Sequence, residues 1–405
     1  MNVLFLLTQD IESPSGLGRY FPLAKALAHR NHEVMLAALH PDYAALEQRS
    51  FVQQDVNIEY CGQMQVIKRG SQKRYFSTPR LLATMALSTR GLIRFALRSK
   101  ADIIHVGKPH PMNGLAGLAG RYLRNKTLLV DCDDYEAGSN RLLRQWQKNI
   151  LARFERNIPR YGASVTTHTH FMKNKLLSWG IPEEKIYYLA NGVDRERFSG
   201  LAVDTIALYR SELGLAGKKV IAYIGSLSLT SHPVDLLIDA FALVQAQNPE
   251  TILLIVGGGE DFEALQGKVR TMALSDQVRF CGRVTPDRAP LYYRLADVSI
   301  DPVYNNDAAR GRSPLKLFES WAAEVPFITA DVGERSFLLG SPPAGLLAEP
   351  GNPASLAENI LQVLTTPELS VQLKGLGRQR IQHYYWDVLA AQLEAHYEQF
   401  LERQA

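Results

Sequence analysis

Cysteine is scarce in this chain of 405 residues. The three cysteines, Cys61, Cys132 and Cys281, are odd in number and far apart, and they form neither a CxxC pair nor a zinc-ligand spacing. The sequence therefore excludes a disulfide-stapled secreted scaffold and a cysteine metal site. It favours a reduced, cytoplasmic compartment.

Long apolar runs are also missing. No run approaches the roughly 18 apolar residues of a membrane span. Residues 1–7 lack a basic n-region and a small-residue cleavage site, so they predict a buried first strand and no signal peptide. A composition of 46% hydrophobic and 21% charged residues is globular, and the length predicts two domains of about 200 residues each.

Acidic residues are missing from residues 60–101, whereas the flanking sequence has them. The formal charge of +4 divides unevenly, because residues 1–200 hold 28 basic against 17 acidic side chains (+11) and residues 201–405 hold 17 against 24 (−7). Within residues 81–97 an amphipathic pattern sets Leu82, Ala86 and Ile93 against Arg90 and Arg94. Residues 68–100 therefore predict a surface for an anionic membrane, with a solvated helix face as the alternative. No nucleic-acid motif accompanies the charge, so no nucleic-acid partner is expected.

Strand-type and helix-type patterns alternate twice along the chain. Strands are predicted at residues 3–8, 33–39, 102–106 and 127–131, and a second series at 219–225, 251–257, 278–281 and 298–302. Helix-length crossovers between strands imply parallel sheets covered on both faces. The predicted fold class is therefore α/β, with two Rossmann-like, doubly wound domains facing a cleft. Residues 379–403 predict one long helical stretch that packs back on the first domain.

The most informative segment is a basic loop that runs into a helix at residues 306–326. Ser313 is placed as the N-cap and Pro314 as the first helical residue, followed by the apolar Leu315. Free backbone N–H groups, a positive dipole end and three nearby cations (Arg310, Arg312 and Lys316) are typical of a phosphate site. Glu319, one turn inside, can accept two ribose hydroxyls. A capped surface helix with solvated arginines is the alternative.

Two glycine-containing loops follow predicted strands. Gly16 and Gly18 permit close approach of a ligand to the backbone, and so does Gly225, next to which Ser226 offers a hydroxyl donor. Each loop could equally be an ordinary tight turn. We expect them at the carboxyl ends of the strands, where ligands bind in such sheets.

An acidic loop follows the strand at residues 127–131. Asp131, Asp133, Asp134 and Glu136 fall within six residues and would repel one another unless they are used or solvated. A divalent-metal site, a general base, an acceptor of sugar hydroxyls and a solvated loop are all compatible, and metal is the weaker option because no metal-loop pattern is present. His110, in a rigid Pro-flanked loop, is placed as a substrate contact or a structural residue.

These motifs, in this order, resemble a glycosyltransferase of the GT-B fold, family 4. The resemblance covers nearly the whole chain, and its most specific short match is NGVDRERF at residues 191–198. Residues 16–19 resemble the N-terminal glycine loop of the family, residues 280–284 its nucleotide-base loop, and residues 306–326 its donor-binding block.

The resemblance implies transfer of a sugar, with retention of configuration, from a nucleotide diphosphate sugar (UDP-, GDP- or ADP-linked) without a required cofactor or metal. It implies that Glu319 holds the donor ribose and that Arg283 and Val284 flank the base. The residues lining the diphosphate would be Gly16, Gly18, Gly225, Ser226, Arg310, Arg312, Ser313, Pro314, Leu315 and Lys316. The candidate catalytic residues are Asp133, His110, Lys316 and Glu319.

The chain also departs from the family pattern. Gly311 stands where the first Glu of the E-x7-E pair is expected, Ser226 where an Arg is expected, and His232 where a Lys is expected. The usual catalytic-loop His falls near Cys132 and Asp133. We expect Lys316, with Arg310 and Arg312, to supply the missing positive charge. We expect Asp133 to replace the histidine in contacting the donor sugar.

The sequence thus predicts an acceptor-binding domain at residues 1–195, a nucleotide-sugar domain at 196–378 and a C-terminal helix at 379–405. The expected function is transfer to a lipid-linked or cell-envelope glycan acceptor by a cytoplasmic protein peripheral to the inner face of the membrane. The alternatives are a nucleotide-sugar epimerase or hydrolase of the same fold, and a catalytically inactive sugar-nucleotide-binding subunit.

Overall fold

The structure is a computed structural model that describes residues 1–13, 16–69, 72–139, 145–200 and 203–402. The chain forms two compact units. Unit 1 comprises residues 1–192 and the C-terminal segment from Trp386 onward, and unit 2 comprises Val193–Tyr385. Residues 70–71, within the predicted membrane-binding segment 68–100, lie outside the described residues.

Unit 1 is built on a mainly parallel sheet. Its described strands are β1 (Asn2–Leu6), β2 (Glu33–His40), β3 (Ser50–Gln53), β4 (Val56–Gln63), β5 (Val66–Arg69), β6 (Gln72–Tyr75), β7 (Ile103–Gly107), β8 (Thr127–Asp131), β9 (Ser164–Thr167) and β10 (Ile186–Tyr188). The sheet order is β10-β9-β8-β7-β1-β2-β4-β3, in which only β3 pairs antiparallel, and β5 and β6 form a separate hairpin. Strands β1, β7 and β8 are buried almost throughout, as their apolar sequences dictate.

The helices of unit 1 cover this sheet. Those described are α1 (Phe21–Ala28), α2 (Thr78–Arg98), α3 (Pro111–Arg124), α4 (Glu136–Ser139), α5 (Gln145–Asn157) and α6 (His170–Ser178). A five-residue π-helical turn, Gly16–Tyr20, precedes α1. The core includes Leu4, Leu6, Ile104, Val106 and Leu128.

Unit 2 contains a six-stranded, wholly parallel sheet among its described residues. The strands are β11 (Lys219–Ile224), β12 (Thr251–Val256), β13 (Val278–Gly282), β14 (Val298–Ile300), β15 (Phe327–Ala330) and β16 (Leu346–Ala348). The helices are α7 (Arg195–Phe198), α8 (Val203–Glu212), α9 (Val234–Gln247), α10 (Phe262–Thr271), α11 (Ala289–Arg294), α12 (Asp307–Arg310), α13 (Leu315–Ala322), α14 (Arg335–Leu339), α15 (Pro353–Thr365) and α16 (Pro367–Ile381). The predicted α/β class with two parallel-sheet units is confirmed.

Strand order reverses at one place in each sheet. In unit 2 the order is β13-β12-β11-β14-β15-β16, so the chain moves outward on one side of β11 and returns to pair β14 on the other. In unit 1 the same reversal lies between β1 and β7. Crossovers leave in opposite directions at such a point and open a crevice at the carboxyl ends of the two strands.

The C-terminal segment differs from the single long helix predicted at residues 379–403. Helix α16 ends at Ile381, and a separate helix, α17, spans Trp386–Leu401. Tyr384 packs against Phe318 and Trp321 within unit 2, and Val193 pairs with Tyr385. The chain therefore breaks here because residues 384–385 belong to unit 2.

Helix α17 itself packs on α1 in unit 1 and is anchored by buried polar contacts. The hydroxyl of Tyr397 is 2.5 Å from Nδ1 of His105, and Nε2 of His396 is 2.8 Å from the hydroxyl of Ser164. Burial lowers the pKa of both His105 and His396 to about 4, so both rings are neutral at pH 7.

Helix α2 carries most of the described part of the basic segment. Ser88, Leu92 and Ala96 face the interior, while Arg90, Arg94 and Arg98 are exposed. Leu82 and Ala86 were predicted on the face opposite the arginines, but both are exposed, and so is Leu87. Helix α2 therefore exposes apolar side chains in its amino-terminal half and arginines in its carboxy-terminal half. None of the described helices is both long and apolar enough to cross a membrane.

Candidate functional site

The reversal point of unit 2 holds a buried carboxylate shared by two cations. Asp301 follows β14 and is almost fully buried. Its Oδ1 accepts from Nζ of Lys316 at 3.2 Å, and its Oδ2 from Nη2 of Arg335 at 2.8 Å. Burial opposes ionisation of Asp301, but Lys316 and Arg335 together hold its pKa well below its usual range. One negative charge therefore faces two fixed positive charges.

The aliphatic stem of Lys316 lies over the carboxyl end of β11. A Cβ atom at Gly225 would come within 2.8 Å of Cε of Lys316, so a side chain there would displace the lysine. Gly225 thus makes room for Lys316 as well as for any ligand. Ser226, next to it, has an exposed side chain, and its carbonyl accepts from the hydroxyl of Tyr223.

Ser313 does not cap α13. The helix begins at Leu315 with Pro314 as its N-cap, and it has no side-chain cap hydrogen bond. Pro314 has ψ of 103°, outside helical values, which moves the helix start one residue beyond the prediction. The Oγ atom of Ser313 is buried without a hydrogen-bond partner among the described residues. A buried hydroxyl of this kind is costly unless a ligand supplies its partner.

Positive charge dominates the surroundings of Lys316. Nη1 of Arg312 donates to the carbonyl of Ser231 at 2.9 Å, which fixes Arg312 beside the loop that follows β11. Burial, together with the charges of Lys316 and Arg312, lowers the pKa of His232 well below its usual value. Arg310 is exposed and donates through Nε to Asn305. The field at this edge of the sheet favours an anion.

Glu319 is held at both carboxylate oxygens. Its Oε1 lies 3.3 Å from Nη2 of Arg197, and its Oε2 accepts from the hydroxyl of Tyr293 at 3.0 Å. The sequence placed Glu319 in the site but did not single out either partner. Arg197 could have been found as the basic residue of the NGVDRERF motif, whereas Tyr293 sits in an ordinary apolar helix.

The loop after β13 carries the residues expected beside a nucleotide base. Gly282 has φ of +68°, a left-handed conformation that favours glycine and ends the strand. Arg283 is exposed and Val284 half-buried. Gly311, at the position of the expected Glu, follows α12 with φ of −76°, a conformation open to any residue. Backbone conformation therefore does not explain the glycine at position 311.

The reversal point of unit 1 holds a different arrangement, in which one lysine contacts three carboxylates. Nζ of Lys108, which follows β7, lies 2.6 Å from Glu136, 3.0 Å from Asp134 and 3.4 Å from Asp133. Asp133 and Glu136 are buried, so a solvated acidic loop is wrong for them. The sequence analysis did not identify Lys108 as a site residue. The available signal was its position directly after β7, since β7 neighbours β8 and the acidic loop follows β8.

Asp133 and Glu136 have opposite electrostatic shifts. Burial is the largest influence on both, but contact with Lys108 and His110 holds the pKa of Glu136 well below its usual range. For Asp133, burial and the neighbouring charges of Asp134, Asp131 and Glu136 outweigh Lys108 and raise its pKa to about 7. A carboxyl poised near neutrality can exchange a proton under working conditions.

His110 connects the two strands at this reversal point. Its Nδ1 is 2.8 Å from Oγ1 of Thr8, beyond β1, and its Nε2 is 2.9 Å from Oε2 of Glu136. The ring is mostly buried and has a partner at each nitrogen. His110 therefore ties the β1 loop to the acidic loop.

The glycine loop of unit 1 is fixed by its own backbone and by a buried arginine. A Cβ at Gly16 would meet the carbonyl oxygens of Asp10 and Ile11 at 2.4 and 2.7 Å, so the tight turn alone requires glycine. Gly18 lies in the same π-helical turn. Arg19, from this turn, donates through Nε and Nη2 to both oxygens of Asp131, at 2.7 and 3.0 Å. Asp131 is therefore neutralised.

Asp133, Asp134 and Glu136 are also the described residues whose spacing could suit a metal ion. The ammonium of Lys108 stands among the same carboxylates, and it supplies the positive charge that a cation would bring. Replacing Lys108 by Met should leave buried, unneutralised carboxylates and lower the free energy of unfolding by roughly 3–5 kcal/mol. The variant should also gain binding of Mn²⁺, measured by electron paramagnetic resonance.

Lys126→Met is the matched control, because Lys126 is a half-buried lysine of unit 1 whose ammonium donates to the carbonyl and hydroxyl of Ser99. It should leave Mn²⁺ binding at the wild-type level. Equal Mn²⁺ affinity in the wild type and in Lys108→Met would contradict the assignment of Lys108 as the resident cation.

Asp133 should make stability depend on pH in a defined direction. Its folded pKa of about 7 exceeds the ordinary aspartate value of 3.8, so its contribution to stability is fully present below the lower value and is lost as pH rises through the higher one. From about pH 5 to about pH 8, the wild type should lose stability relative to Asp133→Asn by at most about 1.4 kcal/mol per pH unit. The difference between the two proteins, measured by urea unfolding, removes the opposing effect of the buried histidines. A pH-independent difference would contradict the raised pKa.

Comparison with known proteins shows the family to which the two units are related. The model of "Glycosyl transferases group 1" matches residues 206–380, and that of "Glycosyltransferase Family 4" matches residues 16–197. D-inositol 3-phosphate glycosyltransferase of Jonesia denitrificans is 30% identical over 224 residues, which are 53% of this chain and 51% of the relative. The chain thus spans about half the length of that curated relative.

Two solved structures share the fold over almost all of both chains. Sucrose-phosphate synthase of Thermosynechococcus elongatus superposes with a TM-score of 0.77 and 19% identity, covering 99% of each chain. Anabaena Alr3699/HepE, solved in complex with UDP, has a TM-score of 0.73 and 16% identity, covering 98% of this chain and 100% of that one. With the two family models matching one unit each, this chain belongs to the family 4 (group 1) glycosyltransferases of the GT-B fold.

Proposed function

We propose that this protein transfers a sugar from a nucleotide diphosphate sugar, with retention of configuration, to a lipid-linked or cell-envelope glycan acceptor. The observation that carries the proposal is the position and charge of the Lys316 ammonium. Asp301 holds its ammonium above Gly225, while Arg335 already neutralises Asp301. The charge of Lys316 is therefore left for an anionic ligand.

The rest of the donor site follows from unit 2. The buried hydroxyl of Ser313 and the free N–H groups of α13 would receive the diphosphate oxygens, beside Pro314 and Leu315. Arg310 and Arg312 add positive charge nearby, and Gly225 and Ser226 line the opposite loop. Glu319 would accept the ribose hydroxyls, and Arg283 and Val284 would flank the base. The proposed donor is a UDP-, GDP- or ADP-linked sugar, and binding of the three nucleoside diphosphates distinguishes them.

Lys316 and the helix N-terminus act where charge develops. As the sugar–phosphate bond breaks, negative charge gathers on the leaving diphosphate, and a preorganised ammonium and backbone N–H groups stabilise it. The sugar gains oxocarbenium character, so no strong protein nucleophile is needed. Asp133 is proposed to contact a sugar hydroxyl, with His110 as its neighbour through Glu136. No cofactor or metal is required in this scheme.

Binding and turnover separate this proposal from its rivals. Nucleoside diphosphates and their sugars should raise the melting temperature of the wild type, because a ligand that binds only the folded state stabilises it. Lys316→Ala should weaken donor binding by about 10- to 100-fold, since it removes a charge-assisted contact worth about 1.5–3 kcal/mol. Asp133→Asn should lower turnover. The exposed Lys219→Ala is the control for Lys316.

Product analysis completes the test. An epimerase would convert the donor alone into an isomeric nucleotide sugar, a hydrolase would release free sugar without an acceptor, and an inactive subunit would bind the nucleotide and turn nothing over. The absence of a thermal shift with every nucleotide would contradict the donor site. Unchanged transfer in both Lys316→Ala and Asp133→Asn would remove these residues from the mechanism.

We place the protein in the cytoplasm, at the inner face of the membrane, with residues 68–100 against the anionic surface. The support is the joint exposure of Arg90, Arg94 and Arg98 with Leu82 and Leu87 on α2. Each basic residue near an anionic bilayer contributes about 1 kcal/mol, so a few suffice for reversible attachment.

Replacing Arg90, Arg94 and Arg98 by Gln should therefore lower binding to phosphatidylglycerol vesicles by at least about tenfold. Vesicle co-sedimentation measures the change, with phosphatidylcholine vesicles as the neutral reference. Arg153→Gln with Arg156→Gln, on the exposed face of α5, is the matched control. Equal binding of both variants, or equal binding to neutral vesicles, would contradict this surface.

A further inference from the structure

Arg197 is a basic residue whose guanidinium contacts two of the proposed donor-binding elements of unit 2. It sits in the short helix α7, and its side chain is 29% exposed. Its Nη2 donates to the carbonyl of Pro286 at 2.7 Å and lies 3.3 Å from Oε1 of Glu319. One guanidinium nitrogen thus joins the loop that follows β13 to the carboxylate of α13.

Glu319 can accept further hydrogen bonds after its contacts with Arg197 and Tyr293. A carboxylate offers about four lone-pair sites. Arg197 uses one oxygen and the buried Tyr293 the other, each through one contact. The side chain of Glu319 remains 20% exposed, so two further acceptor positions can reach a ligand.

The second polar feature of Arg197 is a hydrogen-bond donor that is unsatisfied among the described residues. Its Nε is buried and has no hydrogen-bond partner among the described residues. An arginine that served only to hold α7 in place would gain by pairing this N–H with protein. A buried donor left open beside a ligand carboxylate fits a site that a ligand oxygen completes.

We propose that Arg197 is a positioning residue of the nucleotide site, which holds Glu319 in the orientation that receives the ribose diol and ties it to the base loop at Pro286. This inference rests on the proposed function, because it concerns the same donor site. A free glutamate would lose side-chain freedom on binding ribose, and Arg197 with Tyr293 removes that freedom beforehand. Preorganisation of this kind appears as affinity for the ribose hydroxyls in particular.

The test compares ribonucleotides with their 2′,3′-dideoxy forms. Isothermal titration measures the dissociation constants of UDP, GDP and ADP, and of each dideoxy counterpart, for the wild type, Arg197→Met, Arg197→Lys and Glu319→Gln. Arg195→Met is the matched control, because Arg195 lies in the same helix, is exposed and stacks on Tyr385. Urea unfolding of each variant measures folding independently of binding.

The expected result is a loss confined to the ribose. Arg197→Met should weaken the best-bound ribonucleotide about tenfold and the dideoxy form less than about twofold, so the preference for ribose falls with it. Glu319→Gln should remove most of the same preference. A variant that combines Arg197→Met with Glu319→Gln should lose little more, because the two residues act as one unit. Arg197→Lys should recover part of the preference, and Arg195→Met should keep all of it.

Other outcomes overturn the inference. An equal loss for ribose and dideoxy forms would make Arg197 a general structural residue, and no loss for either would remove it from the site. Both would leave the proposed function standing, because the wild type would still bind the nucleotide. Failure of the wild type to bind any of the six nucleotides would overturn the proposed function, and this inference with it.

Discussion

The donor half of this protein depends on one buried carboxylate that serves two cations. Asp301 would be unstable alone in the interior, because an isolated buried charge is costly. Arg335 neutralises it from α14, and this pair is fixed on all sides by further hydrogen bonds to Thr329, Ala309 and Val332. Lys316 can then rest on the same carboxylate without being neutralised by it. Two cations therefore share one carboxylate, which leaves an excess of positive charge where β11 and β14 meet.

Unit 1 has the same strand reversal, but there the excess charge is negative. Its reversal point lies between β1 and β7, and there a single ammonium, that of Lys108, stands among Asp133, Asp134 and Glu136. Lys108 adopts φ of +58°, a left-handed conformation that is uncommon for a non-glycine residue. Its backbone N–H donates to the carbonyl of Asp131, and its carbonyl accepts from Nδ2 of Asn113. An excess of carboxylates suits a hydroxyl-rich ligand, as an excess of cations suits a diphosphate. Each unit thus carries its own chemical preference at the same topological position.

The sequence predicted most strands and helices, but it did not predict which distant side chains contact one another. Periodicity and strand–helix alternation are local signals, so the two sheets and the placement of Lys316 and Glu319 on one helix could be anticipated. The pairing of Glu319 with Arg197, 122 residues away, depends on tertiary structure that no local pattern encodes. The start of α13 and the break before α17 were misplaced for a related reason: Pro314 is extended, and Tyr384 packs on Phe318 and Trp321. Neither is visible in amphipathic spacing.

The departures from the family pattern at Ser226 and His232 both concern positive charge near the loop that follows β11. The resemblance expects cations at Ser226 and His232, in and after the loop that follows β11, but the structure brings a cation to that loop from α13, since Lys316 contacts Gly225. His232 is half-buried, and the charges of Lys316 and Arg312 add to burial in lowering its pKa. A lysine at 232 would face the same repulsion, so the site favours a neutral residue there once Lys316 is present. Lys316 on α13 therefore brings positive charge to the loop at which the resemblance predicts cations at positions 226 and 232.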